Sequence, residues 1–194
     1  MEIIIHRVNT IKKLKTIETS FGVEIDIRSN GSDLILNHEP HVRGELFRDY
    51  LNEYNHGTLI LNIKDSGIED SVLDLVKKHH NISSYFLLDV EFPYIYNASK
   101  SGEKNIAIRF SEFESIDTVK KLIGKVDWVW IDTFTKLPID DSDIKILNNF
   151  KKCLVCPERW NREMDIMKYK NKLKKINLEI DAVMTSKSHI VDWV

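Results

Sequence analysis

The sequence has few of the features that mark secreted, membrane-spanning or nucleic-acid-binding proteins. Only two cysteines occur among 194 residues, so no disulfide framework is indicated. No apolar run approaches the ~20 residues of a transmembrane helix, and the opening MEIIIHR is too short and wrongly ordered for a signal peptide. The net charge of -2 argues against broad nucleic-acid binding, which needs a strong basic excess. We therefore expect a cytoplasmic protein with neither a membrane span nor a nucleic-acid partner.

The two cysteines, Cys153 and Cys156, stand in a Cys-x-x-Cys spacing. Their segment has the character of a strand, on which residues three apart point to opposite faces. A second pair of metal ligands is also missing. We interpret both as buried cysteines of a strand.

Short apolar segments alternate with helical segments along the whole chain. Apart from residues 34–37, which we set aside as a loop excursion, eight strands are predicted, and the central ones are apolar on both faces, as in a parallel sheet covered by helices. Eight such units close into a barrel, whereas five or six give an open sheet. The pattern predicts one domain over residues 1–194, an α/β fold of the minimal (β/α)8 TIM-barrel type. The predicted strands are Ile3–His6, Val23–Ile27, Leu59–Ile63, Tyr85–Leu88, Ile106–Phe110, Trp128–Ile131, Cys153–Cys156 and Ile180–Met184.

Helical spacing of apolar residues predicts seven helices between these strands. The tail Ser188–Val194 is too short for a full eighth helix, and the flank it leaves exposed could be the surface of a homodimer. The predicted helices are Thr10–Thr19, Arg43–Tyr54, Glu69–His79, Phe92–Ser99, Ile116–Gly124, Asp141–Phe150 and Glu163–Asn177.

Catalytic groups of a TIM barrel sit at the carboxyl ends of the strands and in the loops that follow. The second strand carries Glu24 and Asp26, whose spacing of two places both carboxylates on one face. Two carboxylates that share a site stay ionised only when a cation lies between them, and Mg2+ or Ca2+ prefers such oxygen ligands. The alternative is a buried ion pair with Arg7 or Arg28.

The third strand carries Asn62 and Lys64 with the same spacing. Lys64 is suited to neutralising a phosphate oxygen, or it could form a salt bridge with Glu24. His6 and His38, which follow the first strand and the excursion, could supply a general base and a general acid. We assign no role to the other histidines.

Polar residues also end the later strands and would line the other half of the rim. They could recognise a polar head group, and Trp160 could stack on a sugar or glycerol. We interpret Trp128 and Trp130, which lie within a strand, as core residues. The rim residues of this half are Arg109, Asp132, Glu158 and Thr185.

The order of these motifs resembles the glycerophosphodiester phosphodiesterases and is similar to the sphingomyelinase D branch of the same superfamily of barrels. In those enzymes His-Arg is followed by Glu-x-Asp, His-Asp and an acidic residue-x-Lys. The last strand, which ends in Thr185, also looks like that of the family. The matching segments here are His6-Arg7, Glu24-x-Asp26, His38-Glu39 and Asn62-x-Lys64.

The resemblance implies a phosphodiesterase in which a divalent cation, Mg2+ or Ca2+, is held by Glu24 and Asp26, with Asn62 at the position of a third, acidic ligand. It implies that His6 and His38 serve as acid and base. It further implies that Lys64 and Arg7 contact the phosphoryl group of a small-molecule phosphodiester.

The chain departs from the family pattern at three of these positions. Asn62 offers a neutral carbonyl oxygen in place of a carboxylate, which weakens metal affinity or leaves Asp89 or Glu91 to supply the missing charge. Glu39 stands in place of aspartate, and Val8 in place of the glycine that follows His-Arg.

Three hypotheses for function follow. The first is a metal-assisted phosphodiesterase that acts on a soluble glycerophospho- or sugar-phosphodiester. The second is a metal-independent lyase of the phospholipase C type, in which arginine replaces the cation and a cyclic phosphate forms; Asn62 favours it. The third is a silent barrel that binds a phosphorylated glycan or a partner protein.

Overall fold

The computed structural model describes all 194 residues. Contacts within the chain divide it into two compact units. The first unit comprises residues Ile4–Tyr94, and the second comprises Met1–Ile3 with Ile95–Val194. None of the helices has the length and apolar character that would let it span a membrane.

The first unit is built on four parallel strands in the order β6-β5-β2-β1. In the register of β2 and β5, Glu24 lies opposite Ile60 and Asp26 opposite Asn62. All five residues of β5 are buried, as expected of a strand covered on both faces. The elements are β1 (Glu2–Ile5), α1 (Ile11–Leu14), β2 (Gly22–Asn30), β3 (Asp33–Leu36), β4 (Glu45–Leu46), α2 (Phe47–Asn52), β5 (Leu59–Ile63), α3 (Glu69–Lys77) and β6 (Tyr85–Leu88).

A hairpin extends β2 beyond the parallel part of the sheet. β3 pairs with β2 in antiparallel fashion, from Ile27 opposite Leu36 to Asn30 opposite Asp33. Gly31 makes the turn with a φ of +64°, a conformation that glycine adopts without steric cost. The interpretation of residues 34–37 as a loop excursion is therefore wrong, because their backbone completes a ladder with the end of β2.

The short strand β4 explains why α2 begins later than predicted. Its residues, Glu45 and Leu46, pair with β3, so the helix starts only at Phe47 instead of at Arg43. Helix α1 is also shorter than predicted, with the Thr10 side chain accepting a hydrogen bond from the Lys13 amide at its start.

The second unit contains four further parallel strands, β7 to β10, each paired with the next. The amide of Glu2 donates to the carbonyl of Asp181 just before β10 (2.7 Å), so the start of β1 lies beside that strand. A 3-10 helix over Lys187–Asp192 replaces a full final helix. The elements are α4 (Phe92–Lys100), β7 (Ala107–Phe110), α5 (Ile116–Lys121), β8 (Trp128–Ile131), α6 (Ile144–Leu147), β9 (Lys151–Val155), α7 (Ile166–Lys175) and β10 (Ala182–Thr185).

The close approach of Gly44 to the backbone of β3 can be tested by substitution. A Cβ atom at this position would overlap the carbonyl oxygen of Leu36, at a separation that real Cβ atoms do not show. We expect Gly44→Ala to lower the free energy of unfolding by about 3 kcal/mol in urea titrations, through forced displacement of packed backbone. Gly31→Ala, which meets no atom but keeps a positive φ, should cost only about 1 kcal/mol. Equal losses for the two variants would contradict the close approach.

Candidate functional site

The centre of the candidate site is the pair of carboxylates on β2. Glu24 and Asp26 lie in the strand with side chains on the same face, and they are 2% and 0% exposed. Asn62, opposite Asp26 on β5, is also buried. The two acids and the amide predicted as metal ligands thus lie together at one edge of the first unit.

Both oxygens of Glu24 are engaged by neighbouring residues. Oε2 accepts a hydrogen bond from the backbone amide of Arg7 (2.7 Å), and Nε2 of His6 lies 3.9 Å from the same oxygen. Oε1 accepts a hydrogen bond from Nδ2 of Asn62 (2.8 Å). Glu24 therefore ties the loop after β1 to β5 and holds His6 beside the acid pair.

Asp26 is held by Asn9, a residue that the sequence analysis missed. Nδ2 of Asn9 donates to Oδ2 of Asp26 (2.8 Å), and Oδ1 of Asn9 accepts the backbone amide of Asp26 (2.8 Å). A short amide side chain in the loop after His6-Arg7 is the sequence signal that could have identified it, since asparagine often bonds to nearby backbone groups. The double hydrogen bond fixes the orientation of the carboxylate.

Lys64 contacts two carboxylates, neither of which is Glu24. Its Nζ lies 3.4 Å from Oδ1 of Asp26 and 3.3 Å from Oδ2 of Asp89, the residue that follows β6. Glu91 instead accepts a hydrogen bond from Ser66 (2.6 Å) on the exposed surface. Of the two acids considered as substitutes for a third carboxylate, Asp89 is the one that the structure brings to the site.

Arginine pairing with the acid pair is limited to Arg7. Its Nε lies 3.9 Å from Oδ2 of Asp26, while Arg28 pairs with Asp65 at 2.5 Å. Of the two arginines considered as ion-pair partners of the acid pair, Arg7 lies near Asp26 and Arg28 does not. Lys64 lies closer to Asp26 than Arg7 does.

His38 lies in the loop after β3 and forms a pair with its neighbour Glu39. Its Nδ1 is 2.7 Å from Oε1 of Glu39, and its carbonyl accepts two hydrogen bonds from Arg28, from Nε (3.2 Å) and Nη2 (2.9 Å). The hydrogen bond and charge of His38 hold the pKa of Glu39 below its usual range. The ionised Glu39 favours the tautomer of His38 that carries a proton on Nδ1.

Two residues of the site have left-handed backbones that side chains other than glycine seldom adopt. These are Arg7, with a φ of 51°, and Asp89, with a φ of 60°. The Arg7 turn is fixed by Nζ of Lys13, which donates to the carbonyls of His6 (3.1 Å) and Arg7 (2.7 Å). Such strained conformations cost about 1–3 kcal/mol each and cluster at functional sites.

The surroundings of the acid pair oppose the ionisation of Glu24. Burial, together with the negative charge of Asp26, raises the pKa of Glu24 from 4.5 to about 7, although hydrogen bonds from Asn62 and Arg7 and the charge of Lys64 oppose this. Near neutral pH Glu24 is therefore protonated in a large share of molecules. An added positive charge would favour its ionised form.

The donor atoms of the site fit a hard divalent cation. Oδ1 of Asp26 and Oδ1 of Asn62 are buried and accept no hydrogen bond, and the nearest cation to Oδ1 of Asp26 is Nζ of Lys64 at 3.4 Å. Carboxylate and amide oxygens are the ligands that Mg2+ and Ca2+ prefer. No group of three or more His, Cys, Asp or Glu side chains is arranged to hold a metal.

In the second unit, three side chains donate hydrogen bonds to Asp132. It accepts a hydrogen bond from Arg109 (2.8 Å), and its two oxygens accept from the indoles of Trp160 (3.1 Å) and Trp130 (3.3 Å). Trp130 and Trp128 are buried, which confirms their interpretation as core residues.

Trp160 is 39% exposed, and its ring lies 4.7 Å from that of Phe134. Glu158 accepts hydrogen bonds from the Thr185 hydroxyl (3.0 Å) and the Ser186 amide (2.7 Å). The predicted rim residues of this half are therefore largely bonded to one another, and among them the Trp160 ring is partly exposed to solvent.

The raised pKa of Glu24 predicts a specific pH dependence of stability. Because the folded pKa lies above the unfolded value, the protonated carboxyl stabilises the fold below about pH 4.5, and this contribution is lost as the pH rises through about 7. Glu24→Gln removes the titrating carboxyl and with it the loss of stability at higher pH. The side chain of Asn62 can rotate so that its oxygen accepts a hydrogen bond from the new glutamine side chain. In chelator, the stability of E24Q relative to the parent protein should rise by about 3 kcal/mol between pH 4.5 and pH 8, measured by urea unfolding. A difference that stays constant with pH would contradict the assignment.

Comparison with solved structures identifies the fold. The chain is similar to a protein of Agrobacterium tumefaciens assigned as a glycerophosphoryl diester phosphodiesterase (TM-score 0.67, 10% identity, 95% of this chain and 92% of that chain). It is also similar to a glycerophosphodiester phosphodiesterase of the same organism (TM-score 0.64, 12% identity, 94% and 95%). No protein-family model and no curated protein sequence matches the chain. The prediction of a single-domain α/β TIM barrel with a reduced final helix is confirmed.

Proposed function

We propose that this protein is a phosphoric diester hydrolase that cleaves a soluble glycerophospho- or sugar-phosphodiester. The observation that carries the proposal is the buried Glu24–Asp26 pair, with Lys64 and Arg7 beside Asp26 and His6 beside Glu24. The fold shared with glycerophosphodiester phosphodiesterases supports it. A site with two acids, two cations and an imidazole suits an anionic substrate that needs both charge neutralisation and proton transfer.

Lys64 and Arg7 are the groups that would bind the phosphoryl oxygens. Lys64 is 16% exposed at its side chain and is oriented by Asp26 and Asp89, so its charge is fixed in place before the substrate arrives. Arg7 is 43% exposed at its side chain, which leaves its guanidinium accessible to a ligand. Preorganised charges of this kind stabilise the charge that develops on the phosphoryl group and are worth about 3 kcal/mol each.

His6 and His38 would carry the protons. One imidazole removes a proton from the attacking water or substrate hydroxyl, and the other protonates the oxygen that leaves as the P–O bond breaks. His6 lies against Glu24, which can stabilise its protonated form, and His38 is oriented by Glu39 through Nδ1. Glu39 hydrogen-bonds to the ring of His38 and favours one tautomer of that imidazole, whereas Nε2 of His6 lies 3.9 Å from Oε2 of Glu24, beyond hydrogen-bond distance.

Glu24, Asp26 and Asn62 would hold the divalent cation, Mg2+ or Ca2+, which when bound supplies further positive charge to the phosphoryl oxygens. The oxygens of Asp26 and Asn62 that have no hydrogen-bond partner support this assignment. The Asn9 side chain keeps Asp26 in the orientation that presents Oδ1 to the ligand.

The second candidate function is a metal-independent lyase that releases a cyclic phosphate. It is favoured by the neutral Asn62 and by Lys64, which lies 3.4 Å from Oδ1 of Asp26 and could supply the positive charge by itself. A chelator separates the two candidates: the hydrolase loses its activity in EDTA and regains it with Mg2+ or Ca2+. The lyase keeps its activity and forms a cyclic product visible by 31P NMR.

Under either mechanism, His6→Ala and His38→Ala should each lower kcat for a glycerophosphodiester by 10²–10⁴-fold, the usual contribution of general acid–base catalysis. The measurement is the release of the alcohol by the purified variants. His80→Ala is the matched control, because His80 is exposed and has no role in the site. The proposal fails if the folded parent protein cleaves no phosphodiester with any divalent metal. Binding of a phosphate ester without turnover would then favour a silent binding barrel.

A further inference from the structure

A cavity of about 450 Å3 lies beside the β2–β3 hairpin, and we call it the hairpin cavity. Neither carboxylate of the acid pair lines it. Its volume falls within the range of small-molecule binding sites and exceeds what a single phosphate group needs. The residues that line it are Arg28, Ser29, Asn30, Gly31, Ile35, Pro40, His41, Val42, Arg43 and Asp65.

The charges around the hairpin cavity are predominantly positive. Two arginines line it, together with one histidine and one carboxylate, that of Asp65. Asp65 is fully engaged, because it pairs with Arg28 (2.5 Å) and accepts hydrogen bonds from the amide (2.8 Å) and hydroxyl (3.0 Å) of Ser29. Although burial alone would raise the pKa of Asp65, these contacts hold it below its usual range. Asp65 therefore neutralises Arg28, and no carboxylate of the cavity neutralises the positive charge of Arg43.

Arg43 is the cation of the cavity that has no protein partner. Its backbone carbonyl accepts a hydrogen bond from Asn37 (3.0 Å), but its guanidinium makes no ion pair or hydrogen bond. His41 likewise makes no side-chain hydrogen bond, and its backbone is held at a φ of 61°. A planar guanidinium with all its donors unused is suited to a carboxylate or phosphate, which it can bind through two parallel hydrogen bonds.

Arg28 forms the connection between the hairpin cavity and the candidate site. The same guanidinium that lines the cavity donates to the carbonyl of His38 through Nε (3.2 Å) and Nη2 (2.9 Å), and to the carbonyl of Lys64 through Nη1 (3.3 Å). The guanidinium of Arg28 therefore connects the wall of the cavity to the backbone of two residues of the proposed catalytic machinery.

We propose that the hairpin cavity binds an anionic group, a carboxylate or a phosphate, carried by the alcohol portion of the phosphodiester nearest to His38, with Arg43 as its main contact. The inference rests on the proposed function, which it extends from a reaction to a class of substrate. Arg28 shapes the wall, and Arg43 discriminates between alcohols that carry an extra negative charge and alcohols that do not.

Two pairs of substrates test the inference, because the members of each pair differ in one anionic group. Glycerophosphoserine differs from glycerophosphoethanolamine by a carboxylate, and glycerophosphoinositol 4-phosphate differs from glycerophosphoinositol by a phosphate. The parent protein should show the higher kcat/KM for the anionic member of at least one pair, which also identifies the preferred group. Arg43→Gln should lower kcat/KM about tenfold for the member of the pair that carries the extra carboxylate or phosphate, and leave kcat/KM unchanged for the member that lacks it.

Arg48→Gln is the matched control, since it removes the same charge from an arginine that lies outside the cavity and pairs with Asp33 (3.3 Å) and Asp49 (3.8 Å). It should leave the selectivity of both pairs unchanged. Equal loss on both members of a pair in Arg43→Gln, or an equal effect of Arg48→Gln, would overturn the inference.

A binding experiment keeps this inference separate from the proposed function. If no phosphodiester is turned over, the proposed function fails, and the cavity is tested by titration with O-phosphoserine and with inositol 1,4-bisphosphate. Amide NMR signals of Gly31, Val42 and Arg43 should shift in the parent protein and stay in place in Arg43→Gln. Unchanged signals in the parent protein at millimolar ligand would overturn the assignment of an anion site.

Discussion

The repulsion between two buried carboxylates on one strand is the constraint around which the first unit is organised. The spacing of Glu24 and Asp26 places both on one face of β2, and burial removes the solvent that would screen them. The polar groups that contact the two carboxylates offer hydrogen-bond donors or positive charge. Glu24 accepts hydrogen bonds from the backbone amide of Arg7 and the side chain of Asn62. Asp26 accepts a hydrogen bond from Asn9 and forms an ion pair with Lys64. These donors do not suffice, because the pKa of Glu24 still lies near 7.

The sequence was informative where a residue's role follows from its place on a strand. Strands such as Leu59–Ile63 and Trp128–Ile131 were predicted to the residue, because buried apolar runs end where polar side chains begin. The meeting of Glu24, Asp26 and Asn62 followed from the register that parallel strands impose. The hairpin was mistaken for a loop, because the chain was expected to contain only parallel strands, and an antiparallel extension of β2 breaks that rule.

Side-chain partners were beyond the reach of the sequence, because they depend on distances that only the folded chain defines. Asn9 was not recognised as the residue that orients Asp26. Glu24 was the acid considered as an alternative salt-bridge partner of Lys64, yet Lys64 lies between Asp26 and Asp89. The hydrogen bond from Arg28, a residue of the cavity wall, to the carbonyl of His38 is another contact that the sequence did not reveal. In the functions proposed for them, the strand ends carry the chemistry and the hairpin carries the selectivity.

The proposed cation site requires that the buried acid pair be short of positive charge when no divalent cation is bound. A 13C NMR titration of the Glu24 side-chain carboxyl measures this most directly, in chelator and again in saturating Mg2+ or Ca2+. The account predicts a pKa of about 7 without the ion and a pKa below the ordinary 4.5 with it. An ordinary pKa in chelator, or one that neither ion changes, would contradict the account.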